Sequence, residues 1–152
     1  MALHDDLDRR LLHELYQDGS ISVPVLSKKL GTNPSVLYSR IKRLLRRRII
    51  KKFTIQVDES QLGVGVRAQI GINRNPKLKK QIHDRLMAAP EVVSITEVTG
   101  RFDILVTVNV GDLETLHNTV LDRIGRIEGV QNTETFVELD RIEKDPAYLM
   151  VD

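Results

Sequence analysis

G-T-N-P-S-V-L-Y-S-R-I-K-R-L-L-R-R-R-I-I-K-K, Gly31 to Lys52, reads as a turn followed by one helix with an apolar stripe and a cationic back. Asn33 suits the N-cap, because its side-chain oxygen accepts from an unpaired amide of the first turn. Pro34 suits the first helical position, where its missing donor costs nothing. Counting 100° per residue from Leu37, Ile41 and Leu44 fall within about 40° of it and Leu45 at about 80°. Ser35, Ser39, Lys42 and Arg46 lie opposite, with Arg43 beside them. One side packs and the other points outward with positive charge.

A charged run of this kind is often only a solvated helix face. What precedes it changes the reading. S-V-P-V-L-S-K-K-L, Ser22 to Leu30, is a short helix pattern with Ser22 as cap, proline in the first turn, and Val25, Leu26 and Leu30 as its apolar side. Gly31-Thr32-Asn33 leaves a turn of about three residues, the connection length of a helix-turn-helix unit. Such a unit offers its second helix to the major groove of DNA, with basic side chains on the phosphates.

Composition bounds the alternatives. The chain has 152 residues and no cysteine, so disulfides, thiolate metal sites and a cysteine nucleophile are excluded. Its N-terminus, M-A-L-H-D-D-L-D, is acidic, and no apolar run approaches a membrane span; neither a signal peptide nor a transmembrane segment is expected, and the reading is a soluble cytoplasmic protein. The net charge of +2 conceals an asymmetry: residues 1–57 hold 12 Lys or Arg against 5 Asp or Glu, and residues 58–152 hold 11 against 16. A basic end attracts polyanions by counterion release, and an acidic companion is suited to some other task.

L-D-R-R-L-L-H-E-L-Y-Q-D, Leu7 to Asp18, places Leu7, Leu11, Leu12 and Leu15 at helical spacing, with Asp8 near the positive helix end and Gly19 as stop. Arg48 to Val57 turns β-like and predicts a short strand, a wing on a three-helix head. Residues 1–57 therefore form one domain, 58–65 a turn-rich linker, and 66–152 a second domain. In the second, Val66, Ala68, Ile70 and Ile72 alternate. Pro76 to Ala89 is helical through Leu78, Ile82 and Leu86, and Val92 to Thr99 is β-branched. Phe102 to Val110 alternates; Asp112 to Ile124 is helical with Leu113, Leu116, Val120 and Ile124 inward; Val130 to Ile142 is a last strand. The order βαββαβ is the ferredoxin-like arrangement, and the chain is α+β: a winged helix-turn-helix head followed by a ferredoxin-like domain.

If Ile104, Val106 and Val108 face the helices, Leu105 and Thr107 face out, and the last strand presents outward either Thr133, Thr135, Val137 and Leu139 or Asn132, Phe136 and their neighbours. A half-apolar open sheet face predicts a two-fold homodimer, which would also supply two reading heads for a palindromic site.

These residues resemble the Lrp/AsnC family of prokaryotic transcription regulators, also called feast/famine regulators. The resemblance rests on L-D-R-R-L-L, on L-S-K-K-L-G-T-N-P-S-V-L-Y-S-R-I-K-R-L ending in I-I-K-K-F, on Leu62-Gly63, on V-T-G-R-F-D at 98–103 and on G-V-Q-N-T-E-T at 129–135. It implies DNA binding, a small-molecule effector, typically an amino acid, and homodimers that assemble to tetramers or octamers. Thr32 stands where the family has an apolar residue, and Arg48 where it has Gly. A left-handed Arg at a helix end costs about 1–2 kcal/mol relative to Gly, so the angle between helix and wing depends on how the helix ends at Arg48.

Carried over by position, the resemblance makes Ser35, Val36 and Ser39 base readers, with Asn33 and Tyr38 at the margins, and Arg40, Lys42 and Arg43 phosphate grips. For Arg40 the alternative is an ion pair with the first helix. It makes Thr99, Gly100, Arg101, Phe102 and Asp103 the effector loop, where free amides hold an α-carboxylate and Asp103 an α-ammonium. The alternative is a plain hairpin turn. Thr133, Glu134 and Thr135 resemble the segment that closes the site from a neighbouring subunit, and Asp122 would meet a cationic ligand tail, or else is simply solvated.

Catalytic and metal residues are not expected, nor is a cofactor: His4, His13, His83 and His117 lack metal spacing, His117 reads as a core histidine, and no nucleophile elbow, P-loop or dinucleotide fingerprint occurs. Two further readings stand beside the regulator. One is an effector-independent, chromatin-like DNA organiser. The other is an enzyme like the sirohaem decarboxylases, which resemble the family in both domains; the cationic helix argues against it.

Overall fold

The computed structural model describes residues 5–147; the expected outer limits of the two domains, residues 1–4 and 148–152, lie outside it, as does His4. The chain divides into two units, one holding the residues up to Val57 together with those from Ile142 onward, the other Asp58–Arg141. The last described residues thus group with the head, where the sequence places them in the second domain.

The head holds α1 (Asp6–Gln17), α2 (Val23–Leu30) and α3 (Pro34–Arg46). Its core is Leu11, Leu26, Leu30, Leu37 and Leu44, flanked by Leu7, Leu12, Leu15, Ile21, Val23, Ile41, Ile49 and Ile50. Gly31 ends α2 in the left-handed region, at φ 62°, where a side chain would be strained. Val25, expected on the packed side, is instead exposed, because an eight-residue helix in this small head buries only the narrow stripe of Leu26 and Leu30.

Beyond α3 the expected strand and wing are corrected. Residues 51–58 carry no regular secondary structure. Residues 48–50 turn back to close the helix, with Ile49 and Ile50 both donating to the Leu44 carbonyl. What remains has β propensity, but no strand of its own unit lies beside it among the described residues, and a strand without a ladder partner does not form. Phe53, Ile55 and Val57 are left exposed.

The second unit opens with a 3-10 turn, Glu59–Leu62, and contains β1 (Val66–Arg74), α4 (Lys79–Met87), β2 (Val92–Glu97), β3 (Ile104–Val110), α5 (Leu113–Asn118) and β4 (Val130–Val137). The sheet order is β2-β3-β1-β4, with every pairing antiparallel. Ala68, Ile70 and Ile72 with Ile104, Val106, Val108 and Val110 form the buried face, closed by Ile82, Leu86, Leu116 and Ile124 from the helices. This is the expected βαββαβ core, and β3 alternates as the period of two requires.

Three details depart from the pattern. α5 continues as a π-helix, Thr119–Ile124, whose wider turn buries Thr119. Leu113, expected inward, is exposed, and His117, read as a core histidine, is exposed too. β4 stops at Val137, which pairs with Ala68; Glu138 still donates to the Arg67 carbonyl, one residue from the start of β1 at Val66.

Candidate functional site

The exposed side of α3 is built outward from its N-cap. Asn33 Oδ1 accepts from the Ser35 amide at 2.9 Å and from the Ser35 hydroxyl at 2.9 Å, so the first turn is held open at the surface with Ser35 fixed. Ser35, Val36, Tyr38, Ser39 and Lys42 are all exposed, on the side opposite Leu37 and Leu44. Lys42 forms no ion pair among the described residues, and its ammonium is free for an anion.

Arg40 and Arg43 turn back towards α1. Arg40 Nη1 donates to both oxygens of Asp5, at 2.6 and 2.7 Å, and to Asp8 Oδ1 at 2.8 Å. Arg43 Nη2 donates to Asp8 Oδ2 at 2.5 Å. Both guanidiniums are closed on carboxylates of α1 and its cap: the ion pair given as the alternative for Arg40 is present, and Arg43 forms one as well. The clasp keeps Asp5 below the ordinary carboxylate range, chiefly through the Arg40 hydrogen bond, and raises the Arg40 guanidinium further above its own.

Asp8 is the residue that the sequence reading undervalued. Its side chain is 1% exposed. A signal was present: Asp8 lies about 60° from Leu11, inside the leucine stripe, and a carboxylate there needs a cationic partner.

In the second unit, residues 98–103 join β2 to β3 and fold over the end of β1. The Asp103 amide donates to the Ile72 carbonyl at 3.0 Å, its carbonyl accepts from the Val98 amide at 3.1 Å, and its Oδ2 accepts from the Arg74 amide at 2.9 Å. Asp103 therefore pins the loop and has one carboxylate oxygen outside these bonds. Gly100 sits at φ 130° with open space where a Cβ would point. Asn73 Nδ2 donates to the Arg101 carbonyl at 2.8 Å, and the Arg101 guanidinium pairs with Glu134 Oε2 at 2.8 Å while lying 5.3 Å from the Phe102 ring centroid. The Phe102 ring packs against Gly71 and edge-on to Phe136, 6.1 Å between centroids.

The structure thus brings Arg101, Phe102, Asp103 and Glu134 together and adds Gly71, Asn73, Arg74 and Phe136, which the motif did not mark. It separates Thr133 and Thr135 from them. Glu134 registers with Gly71, whereas Thr133 and Thr135 register with Ile72 and Ile70 and so face the helix side. Of the two outward sets left open for β4, the one holding Asn132 and Phe136 is observed. Asp122 lies in the π-helical turn and pairs with Arg126 at 2.9 Å. No cluster of His, Cys, Asp or Glu among the described residues has the makings of a metal site. No helix among them is long and apolar enough to cross a membrane.

A helix-turn-helix head followed by an antiparallel βαββαβ domain defines a DNA-binding regulator. The family model for the Lrp/AsnC ligand binding domain matches residues 67–148, and that for the AsnC-type helix-turn-helix domain matches residues 5–45. HTH-type transcriptional regulator FL11 of Pyrococcus furiosus is 35% identical over 147 residues, covering 97% of this chain and 96% of that protein. Transcriptional regulator AzlB of Bacillus subtilis is 34% identical, covering 88% and 87%. Among solved structures, E. coli AsnC superposes with a TM-score of 0.89 at 26% identity over 96% of this chain and 99% of that one. A transcriptional regulator from Neisseria meningitidis, solved as a complex with L-Met, superposes with a TM-score of 0.88 at 23% identity over 93% of each, which shows the shared fold. The chain belongs to the Lrp/AsnC family: it is a transcription regulator with a DNA-binding head and a ligand-binding domain.

Proposed function

We propose that this regulator reads a specific DNA site with the N-terminal half of α3 and that an amino acid bound at the 98–103 loop changes its affinity or assembly. The observation that carries the reading is the exposed row Ser35, Val36, Ser39 and Lys42 on a helix whose opposite side is packed. Ser35, Val36 and Ser39 face base edges, Asn33 and Tyr38 flank them, and Lys42 grips phosphate; Arg40 and Arg43 are held back by Asp5 and Asp8. The protein works by binding and not by catalysis, in the cytoplasm on the nucleoid.

For the effector, backbone amides around Thr99 and Gly100 take the α-carboxylate and the Asp103 oxygen not engaged by Arg74 takes the α-ammonium. Arg101 and Glu134 frame the side-chain end, and Thr133, Thr135 and Asp122 reach the ligand only from a neighbouring subunit. The Neisseria complex with L-Met supports an amino acid as the ligand class. The outer sheet face, with Leu105, Thr107 and Phe136, packs on a second copy, and dimers assemble further to tetramers or octamers.

The test is a gel shift on the protein's own upstream DNA, titrated with salt and with each of the twenty amino acids. With roughly 6–10 phosphate contacts in the dimer, affinity falls about 10³- to 10⁵-fold between 50 and 200 mM salt, and one or a few amino acids move the shift. Salt-insensitive binding would sink the reading of α3; indifference to all twenty amino acids would sink that of the loop.

A further inference from the structure

The recognition helix presents less positive charge than its sequence counts. Four Lys or Arg stand on α3, Arg40, Lys42, Arg43 and Arg46, yet Arg40 and Arg43 are turned back onto α1. Asp8 takes one guanidinium on each oxygen, Arg40 on Oδ1 and Arg43 on Oδ2, and Asp5 holds Arg40 from the outer side. The clasp sits at the edge of the head and not in its centre: Asp5 is 55% exposed, Arg43 36% and Arg40 20%. Two acids and two arginines carry no net charge, so their field at a phosphate dies away faster than that of two free cations.

We propose that Asp8 and Asp5 are selectivity residues of the reading head: by withholding Arg40 and Arg43 from phosphate they keep sequence-independent affinity low, so that the base-facing side chains decide where the protein stays. The proposal rests on the DNA-binding reading of α3. Phosphate contacts supply nearly all non-specific binding, each contributing about 0.9 to the slope of log affinity on log salt. A genome offers about 10⁶–10⁹ competing sites, so a regulator is limited by the ratio of specific to random binding and not by tightness alone. Two arginines beside Lys42 and Arg46, if free, would strengthen both kinds of binding and blur that ratio.

The decisive variant is Asp5→Asn in the full chain. Asparagine is as good an N-cap as aspartate, so the bond to the Asp8 amide is kept while the outer of the two charges on Arg40 is lost, which leaves Arg40 and Arg43 to share the single carboxylate of Asp8 and the cluster with one uncompensated positive charge. Affinity for a random-sequence duplex and for the upstream DNA is measured from 50 to 200 mM salt, after circular dichroism confirms the fold. The expected result is a random-duplex affinity raised about 3- to 10-fold, a salt slope steeper by about one, and a smaller ratio of specific to random binding. Adding Arg40→Gln to Asp5→Asn returns slope and ratio towards wild type. Asp8→Asn, where it folds, steepens the slope by up to about two; Asp8→Glu, which keeps the charge, leaves it unchanged. A folded Asp5→Asn with the wild-type slope on both duplexes overturns the proposal, and so does steepening that survives Arg40→Gln, since any lost acid would then serve. If the wild-type chain itself shows no salt-dependent duplex binding, the reading of α3 has failed before any variant is made.

Discussion

The Ile49 amide donates to the Leu44 carbonyl at 3.0 Å across Arg48, which is held at φ 57°, the one positive φ outside glycine among the described residues. The Arg48 amide donates to the Leu45 carbonyl at 3.0 Å, and Leu44 and Ile49 share the head core. These are the two hydrogen bonds and the apolar contact of a Schellman helix end, built with arginine where glycine is the unstrained residue. Arg48→Gly therefore stabilises the head by about 1 kcal/mol, read as a higher thermal midpoint, with α3 unchanged in length by circular dichroism.

Lys42 and Ser39 occupy neighbouring exposed positions but answer differently in a binding assay. Lys42→Ala weakens all duplexes alike and flattens the salt slope by about one, whereas Ser39→Ala relaxes preference at particular base pairs by about 1–3 kcal/mol with the slope unchanged. Binding to a panel of single-base operator variants at two salt concentrations separates the two.

A Cβ added at Gly71 would come within 2.5 Å of the Phe102 ring, which forms the floor of the 98–103 loop. Gly71→Ala forces that ring to shift and costs about 1–3 kcal/mol of stability. Combined with Phe102→Ala the two losses do not add, because the ring that the new methyl meets is gone; a double-mutant cycle in urea measures the shortfall.

Acid sensitivity follows from carboxylates that the folded chain keeps ionised. Asp5 is lowered first by Arg40, Glu97 by Lys79, and Asp112, the cap of α5, by the Thr115 amide and hydroxyl. A group whose folded pKa is depressed contributes stability above its unfolded pKa and loses it as pH falls through the folded value. The thermal midpoint is therefore level from neutral pH down to about pH 5 and drops below about pH 4. Asp5→Asn has the gentler acid limb, since one of the titrating groups is gone.

Most of the fold is legible in local patterns. Leucines at helical spacing with Asn33, Pro34 and Gly31 as punctuation specify three helices, because caps and periodicity act within a few residues. The alternation of β3 specifies its buried face for the same reason. The elements that were misread depend on neighbours. The stretch Phe53 to Val57 has the composition of a strand but no ladder beside it, and β4 ends where β1 stops pairing with it. The turn of α5 widens between Asn118 and Ile124, so a strict period of 3.6 misplaces the residues around it.

The site divides in the same way. The exposed row on α3 and the loop at 98–103 are visible as motifs, since their residue types and spacing survive in one dimension. What the motifs do not carry is which partner a charge finds. Asp8 and Arg43 stand 35 positions apart, and only the packing of α1 against α3 brings them into contact. By itself the amino-acid order determined where helices and strands lie, which sides they bury and that one end is cationic, because these follow from near neighbours along the chain. Tertiary packing decided which cations of α3 are drawn into ion pairs, which face of β4 joins the loop and where the sheet ends, because each depends on a group distant in sequence.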